Sequence, residues 1–312
     1  MSLDPIILFF ILGIVAGLAK VGMRLPASIY EFLSMILLLA IGLKGGIELS
    51  KQSFGDLLPE IGAVLFMGTL LPLMAYPVLK FVGKFKKADA ASVAAHYGSV
   101  SVGTYAVGIS YLAAMGISYE AYMPLFVVLL EIPAILVGIV LVRGITKKTN
   151  WGKLSHEVFL GKSIVLLVGG LLIGWVSGPE NIAPIGVLFF GLFQGVLALF
   201  LLEMGLIAAS QVSSIKKHGV FLLAFGVLFP LFSGVVGATI GAFLELSTGG
   251  VMLLALLAGS CSYIAVPAAM RIALPEANPA ISITSSLAIT FPFNITLGVP
   301  AYLWMAQNLT AL

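Results

Sequence analysis

The chain has 312 residues, of which 60% are hydrophobic and only 9% charged, against about 25% charged in an ordinary soluble domain. No water-soluble fold can hide that much apolar surface, and no polar stretch is long enough to build a large soluble domain, so the bilayer must be the solvent. The formal net charge of +3 says little by itself, and the single cysteine, Cys261, excludes an intrachain disulfide.

Apolar runs of spanning length, about 20 residues each, fall at 5–22, 27–46, 59–83, 90–114 and 120–143. The first could imitate a signal-peptide core. It has Asp4 before it, Lys20 and Arg24 after it and no small-residue cleavage pattern, and is read as a retained first helix. A polar stretch from Arg143 to Lys162 follows, and apolar runs resume at 161–177, 183–210, 219–244, 250–274 and 280–307. The expectation is an all-α integral membrane protein of ten transmembrane helices. Residues 1–143 form one set of five, 144–160 a short cytoplasmic linker and 161–312 a second set.

The basic residues alternate between loops. Lys20 and Arg24 follow the first helix, Lys80, Lys84, Lys86 and Lys87 the third, and Arg143, Lys147, Lys148, Lys153 and Lys162 the fifth. Lys216 and Lys217 follow the seventh, and Arg271 lies near the end of the ninth. That places 14 of the 16 basic residues on one face and leaves Lys44 and Lys51 for the other. The positive-inside rule then puts both termini outside and the central loop in the cytoplasm of a cell (inner or plasma) membrane.

The two sets resemble each other. Gly98-Ser99-Val100-Ser101 recurs as Gly259-Ser260-Cys261-Ser262, an offset of 161. Leu71-Pro72-Leu73 recurs as Phe229-Pro230-Leu231, offset by 158, and Pro133 matches Pro292, offset by 159. Three matches in order at a nearly constant offset indicate internal duplication. Because each set has an odd number of helices, the second must enter the membrane upside down, the inverted-repeat plan of many secondary transporters.

The paired Gly-Ser-x-Ser segments are the most informative feature. Glycine and serine weaken a spanning helix, and serine hydroxyls can satisfy the backbone groups that a break frees. Pro267 adds a second obstacle to a regular ninth helix. Two opposed breaks would point half-helix N-termini at one midplane site, with partial positive charge and unpaired N–H groups suited to an anion. Alone, such a motif is better read as close packing, as for Gly13 and Gly17, Gly170 and Gly174, or Gly237 and Gly241. Its paired occurrence favours a binding site at Gly98, Ser99, Val100 and Ser101 with Gly259, Ser260, Cys261 and Ser262. Cys261 itself, matched by Val100, reads as a small apolar filler.

Glu131 and Glu203 sit inside apolar runs, where an ionised carboxylate must face a polar cavity, pair with a cation or stay protonated. For Glu203 a structural contact is the preferred reading; for Glu131 structure and function stand level. Asn294 follows Pro292, among Thr284, Ser285, Ser286, Thr290 and Thr296, and oxygens of this kind suit a hard cation such as sodium. Glu131, Asn294, Thr104, Thr290 and Ser285 make up the candidate sodium set. His96 is expected to bond a backbone carbonyl rather than relay protons.

No enzyme constellation is present. Phe54-Gly55-Asp56 only faintly resembles an intramembrane aspartyl protease signature, with Ser53 in place of its first glycine and no aspartate within a helix to pair with Asp56. No ATP-binding glycine loop or His-rich metal motif occurs. The protein is expected to use no cofactor, to bind no nucleic acid, and to run on an ion gradient or downhill.

The segments His96-Tyr97-Gly98-Ser99-Val100-Ser101, Gly259-Ser260-Cys261-Ser262-Tyr263, Ala268 to Pro279 and Thr290-Phe291-Pro292-Phe293-Asn294 resemble those of the sodium-dependent bicarbonate transporters of the SbtA type. The resemblance spans nearly the whole chain. It implies sodium/bicarbonate symport by alternating access, a homotrimer, and core and gate domains with crossed broken helices. Cyanobacterial members have a longer central loop and a PII-like regulator; the loop here, 144–161, is short, which argues against such a partner. The alternatives are a sodium symporter for another small anion such as a carboxylate, and a non-transporting membrane sensor or scaffold.

Overall fold

The computed structural model describes residues 5–23, 25–51, 57–144, 152, 156 and 160–311, the side chains of 213–218 excepted. Arg24, Ser53 to Asp56, and Lys147, Lys148 and Lys153 of the central loop lie outside the described residues, as do the side chains of Lys216 and Lys217. Among the described residues the architecture is all-helical, without a strand.

The first set comprises α1 (Pro5–Leu18), α2 (Ala27–Leu49), α3 (Leu58–Val82), α4 (Lys87–Gly98), α5 (Val102–Ala114) and α6 (Met123–Arg143). The second comprises α7 (Lys162–Gly186), α8 (Phe193–Ser210), α9 (Val212–Phe243), α10 (Thr248–Ala258), α11 (Ala265–Ala273) and α12 (Pro279–Thr310). Among the described residues, six stretches are long and apolar enough to cross a membrane. One of them, Lys162–Ser210, has 49 residues. Drawn out at about 1.5 Å per residue it would exceed twice the roughly 30 Å hydrocarbon core. It bends at Gly178, whose φ of 67° is a left-handed geometry that glycine reaches without steric cost, with Pro179 next.

Two of the expected spans are split. The fourth is broken between α4 and α5, where Ser99 and Ser101 are extended. The ninth is broken between α10 and α11, across residues 259–264. Pro267, expected to oppose a regular ninth helix, is the third residue of α11. A first-turn N–H has no intrahelical acceptor to lose, so the proline is compatible with a helix that starts there and not with one running on from α10. The last span, α12, is continuous but contains wide π-type turns at Thr284–Thr290 and Asn294–Gly298, on either side of Pro292. Such turns accommodate a proline and are frequent at functional sites.

Helices α2 and α7, and α1 and α8, form the most extensive pairs. Small residues bring their backbones together: a Cβ on Gly46 would overlap the Leu171 carbonyl, and one on Gly13 the Leu202 carbonyl. Close approach compensates for the missing hydrophobic drive between helices in lipid. A second group packs α3, α4 and α6 mutually, and a third packs α9, α10 and α12 mutually. Gly98 abuts the Pro72 ring and Gly259 lies against the Pro230 carbonyl. Each break glycine therefore sits on the proline of its own set.

Candidate functional site

The break segments meet. Ser101 donates its backbone N–H to Ser260 Oγ at 3.0 Å, and Ser262 donates its backbone N–H to the His96 carbonyl at 2.9 Å. Ser99, Val100, Ser101, Ser260, Cys261 and Ser262 are all buried. In such surroundings each polar group needs a partner, because an unmet donor or acceptor costs about 1–3 kcal/mol.

The hydroxyl protons can be followed one by one. Ser260 Oγ accepts from Ser101 N and donates to the Leu257 carbonyl at 2.9 Å. Ser101 Oγ caps α5, accepting the Thr104 N–H at 3.0 Å and the Thr104 hydroxyl at 2.8 Å. Both lone pairs of Ser101 Oγ are thereby taken, which leaves its own proton to donate. Ser262 Oγ accepts from Val266 N at 3.3 Å and keeps its proton likewise. Ser99 Oγ is buried with no hydrogen-bond partner among the described residues. The Ser99, Ser101 and Ser262 hydroxyls thus each keep a proton to donate, Ser101 at the start of α5 beside the buried Tyr263, whose hydroxyl lies over Gly103. This arrangement can hold an anion without a cationic side chain.

The other candidate substrate residues divide. Gly98 and Gly259 provide the close approaches just described, whereas Val100 and Cys261 direct apolar groups into hydrophobic clusters. The Cys261 thiol lies 3.7 Å from the Ser286 carbonyl, as suits a small filler. His96 Nδ1 bonds the Ser92 carbonyl at 2.7 Å. Glu203 accepts the Leu25 N–H at 3.1 Å, tying α8 to the turn before α2.

The structure links two of the candidate sodium residues, Ser285 and Thr290, through the Tyr97 hydroxyl. Thr290 donates to the Gly226 carbonyl at 2.7 Å, so it must accept the Tyr97 hydroxyl proton, also at 2.7 Å. Tyr97 then has no proton left for Ser285, and the 2.5 Å bond between them is donated by Ser285. Ser285 keeps its lone pairs, and so does Thr104, which uses its proton on Ser101. Asn294 donates to the Gly259 carbonyl at 2.8 Å and accepts from Tyr302 at 2.9 Å, which fixes the end of α10. Glu131 is buried in α6 with no hydrogen bond or ion pair among the described residues. It is not bonded to the other four. Tyr97, which joins α4 to α12, escaped the sequence reading. Its position one residue before the break glycine was the available signal.

Two residues outside the motifs hold the broken helices at their far ends. Asp89, which the sequence left outside the fourth span, lies buried within α4 and accepts the Asn278 N–H at 2.7 Å. Glu120 accepts the Ser247 N–H at 2.5 Å, laying a carboxylate against the N-terminus of α10, a favourable dipole arrangement.

Apolar helices of spanning length, with two helix breaks that meet among buried hydroxyls, describe a multi-pass membrane protein. The chain belongs to the Na+-dependent bicarbonate transporter superfamily, whose family model matches residues 5–307. No curated protein matches the sequence closely enough to add a named relative.

Proposed function

We propose that the protein is a sodium-coupled bicarbonate importer that works by alternating access. The observation that carries this reading is the meeting of the two breaks, where the Ser99, Ser101 and Ser262 hydroxyls are free to donate. A small planar oxyanion offers several acceptor lone pairs to such donors and to the half-helix N-termini. Sodium is assigned to oxygens of the Ser285, Thr290, Thr104, Asn294 and Glu131 set, of which Ser285 and Thr104 have the most lone-pair capacity left. Family membership supports sodium and bicarbonate as the transported pair.

The helices are read as ten spans in two inverted repeats, residues 1–143 and 161–312, with α4–α5 and α10–α11 as the fourth and ninth. The recurring packing supports this: α3, α4 and α6 contact one another as α9, α10 and α12 do. The α1, α2, α7 and α8 group would serve as the gate and the remainder as the core, in a homotrimer with both termini outside. Sodium-driven uptake of labelled bicarbonate into proteoliposomes tests the reading. The expected result is accumulation under an inward sodium gradient and none with choline in its place. Sodium-dependent uptake of a small carboxylate but not bicarbonate would select the alternative symporter.

A further inference from the structure

Lys44 is one of only two basic residues assigned to the base-poor face of the chain. It lies within α2, five residues before the helix ends, and its side chain is exposed. Its ammonium stands 5.9 Å from the centre of the Tyr119 ring. Among the described residues it has no ion-pair partner. Glu48, one turn further along α2, is engaged by Lys51 at 2.8 Å.

Two adjoining cavities share Lys44, Glu48, Ile41 and Ile109 in their walls. The larger, about 540 Å³, continues to Ser110, Gln194 and Pro179. Ser110 donates to Gln194 at 2.9 Å there, joining α5 to α8. The smaller, about 260 Å³, reaches Tyr105. Tyr105 N–H bonds the Ser101 carbonyl at 3.0 Å, so a residue lining this cavity lies one helical turn from the break. Both lie between α2 of the proposed gate and α5 of the proposed core. Lys44 and Glu48 are the only lysine, arginine, histidine, aspartate or glutamate side chains among the residues that line them.

We propose that Lys44 is the residue that draws the anionic substrate into the cleft and positions it for the break at Ser101. A cation held at the mouth of a low-dielectric cleft raises the local concentration of anions, and the effect is weakened by salt. The Tyr119 ring face holds the ammonium there through a cation–π contact. The inference rests on the proposed anion site at the crossed breaks.

The test is uptake in proteoliposomes at fixed sodium, with bicarbonate varied and ionic strength set by choline chloride. Lys44→Gln should raise the bicarbonate KM about fivefold, with kcat and the half-saturating sodium concentration held within about twofold. Lys44→Glu should raise KM further, and Lys44→Arg should restore it. Raising the salt should increase the wild-type KM and leave that of Lys44→Gln flat. A lysine acting only by favourable placement near the C-terminus of α2 would instead lower thermal stability without moving KM. Uptake by the wild type with a KM unchanged in Lys44→Gln would overturn the role of Lys44 alone. No sodium-driven uptake by the wild type would overturn the proposed function itself. Were Lys44→Gln not recovered folded, a salt-independent wild-type KM would still overturn the inference.

Discussion

The break at Gly98–Ser101 and the break at Gly259–Ser262 share a sequence pattern but not a geometry. The first is short and well capped: Ser101 takes two bonds from Thr104, and α5 begins at the next residue. The second is longer, leaving 259–264 outside regular helix, and Ser262 holds Val266 N only at 3.3 Å. The pairing across the crossing is uneven too. Ser101 N–H goes to the Ser260 side chain, whereas its counterpart Ser262 N–H goes to the His96 carbonyl and leaves Ser99 Oγ unpaired. A recurring motif therefore gives one rigid edge and one looser edge, with the unmet hydroxyl on the rigid side. The half-helix that best holds its shape is the better place from which to orient a substrate.

The substitution with the largest expected effect strikes the rigid edge. Ser101→Asp places a negative charge where the substrate's charge belongs and should abolish uptake, while near-isosteric Ser101→Asn retains a measurable rate per folded protein. Equal activity in the two would sink the anion site. Ser262→Asp should be less severe, because the looser edge can turn the carboxylate aside. Glu131→Gln comes next. If Glu131 contributes to sodium binding, loss of one charge-assisted contact, about 1.5–3 kcal/mol, raises the half-saturating sodium concentration roughly ten- to a hundredfold. Unchanged sodium dependence would make Glu131 structural.

The break glycines sharpen the comparison through stability. Gly259→Ala would drive a Cβ onto the Tyr302 hydroxyl and to 2.8 Å from the Pro230 carbonyl, whereas Gly98→Ala meets only the Pro72 ring and Ala134. Both should lower the thermal midpoint by overpacking, at about 1–3 kcal/mol, with Gly259→Ala the worse because a backbone carbonyl yields least. Smallest is Tyr97→Phe, which removes the hydroxyl between Ser285 and Thr290. Polar contacts between helices in lipid are worth about 0.6 kcal/mol on average, so a modest loss of stability is expected in a detergent unfolding series. A large loss would show that the second, looser break depends on this link from the first.

The sequence by itself determined that the chain lives in a bilayer, where its helices run to within a few residues, and that two helices break at Gly-Ser-x-Ser. Those conclusions follow from composition, run length and local backbone preference, which act over short stretches and leave a mark in the residues concerned. The family was legible on the same terms, through short local motifs, and its model matches residues 5–307. Tertiary structure alone decided which proton each hydroxyl gives and to whom. Ser101 is a free donor only because Thr104 fills its lone pairs, and Tyr97 commits its proton to Thr290 only because Thr290 has given its own to Gly226. The same holds for Pro267, whose effect depends on where α11 starts, and for Lys44, an ordinary lysine in sequence until two cavities open on either side of it. Hydrogen bonds and cavities join residues far apart in the chain, and residue order does not encode the geometry in which they meet.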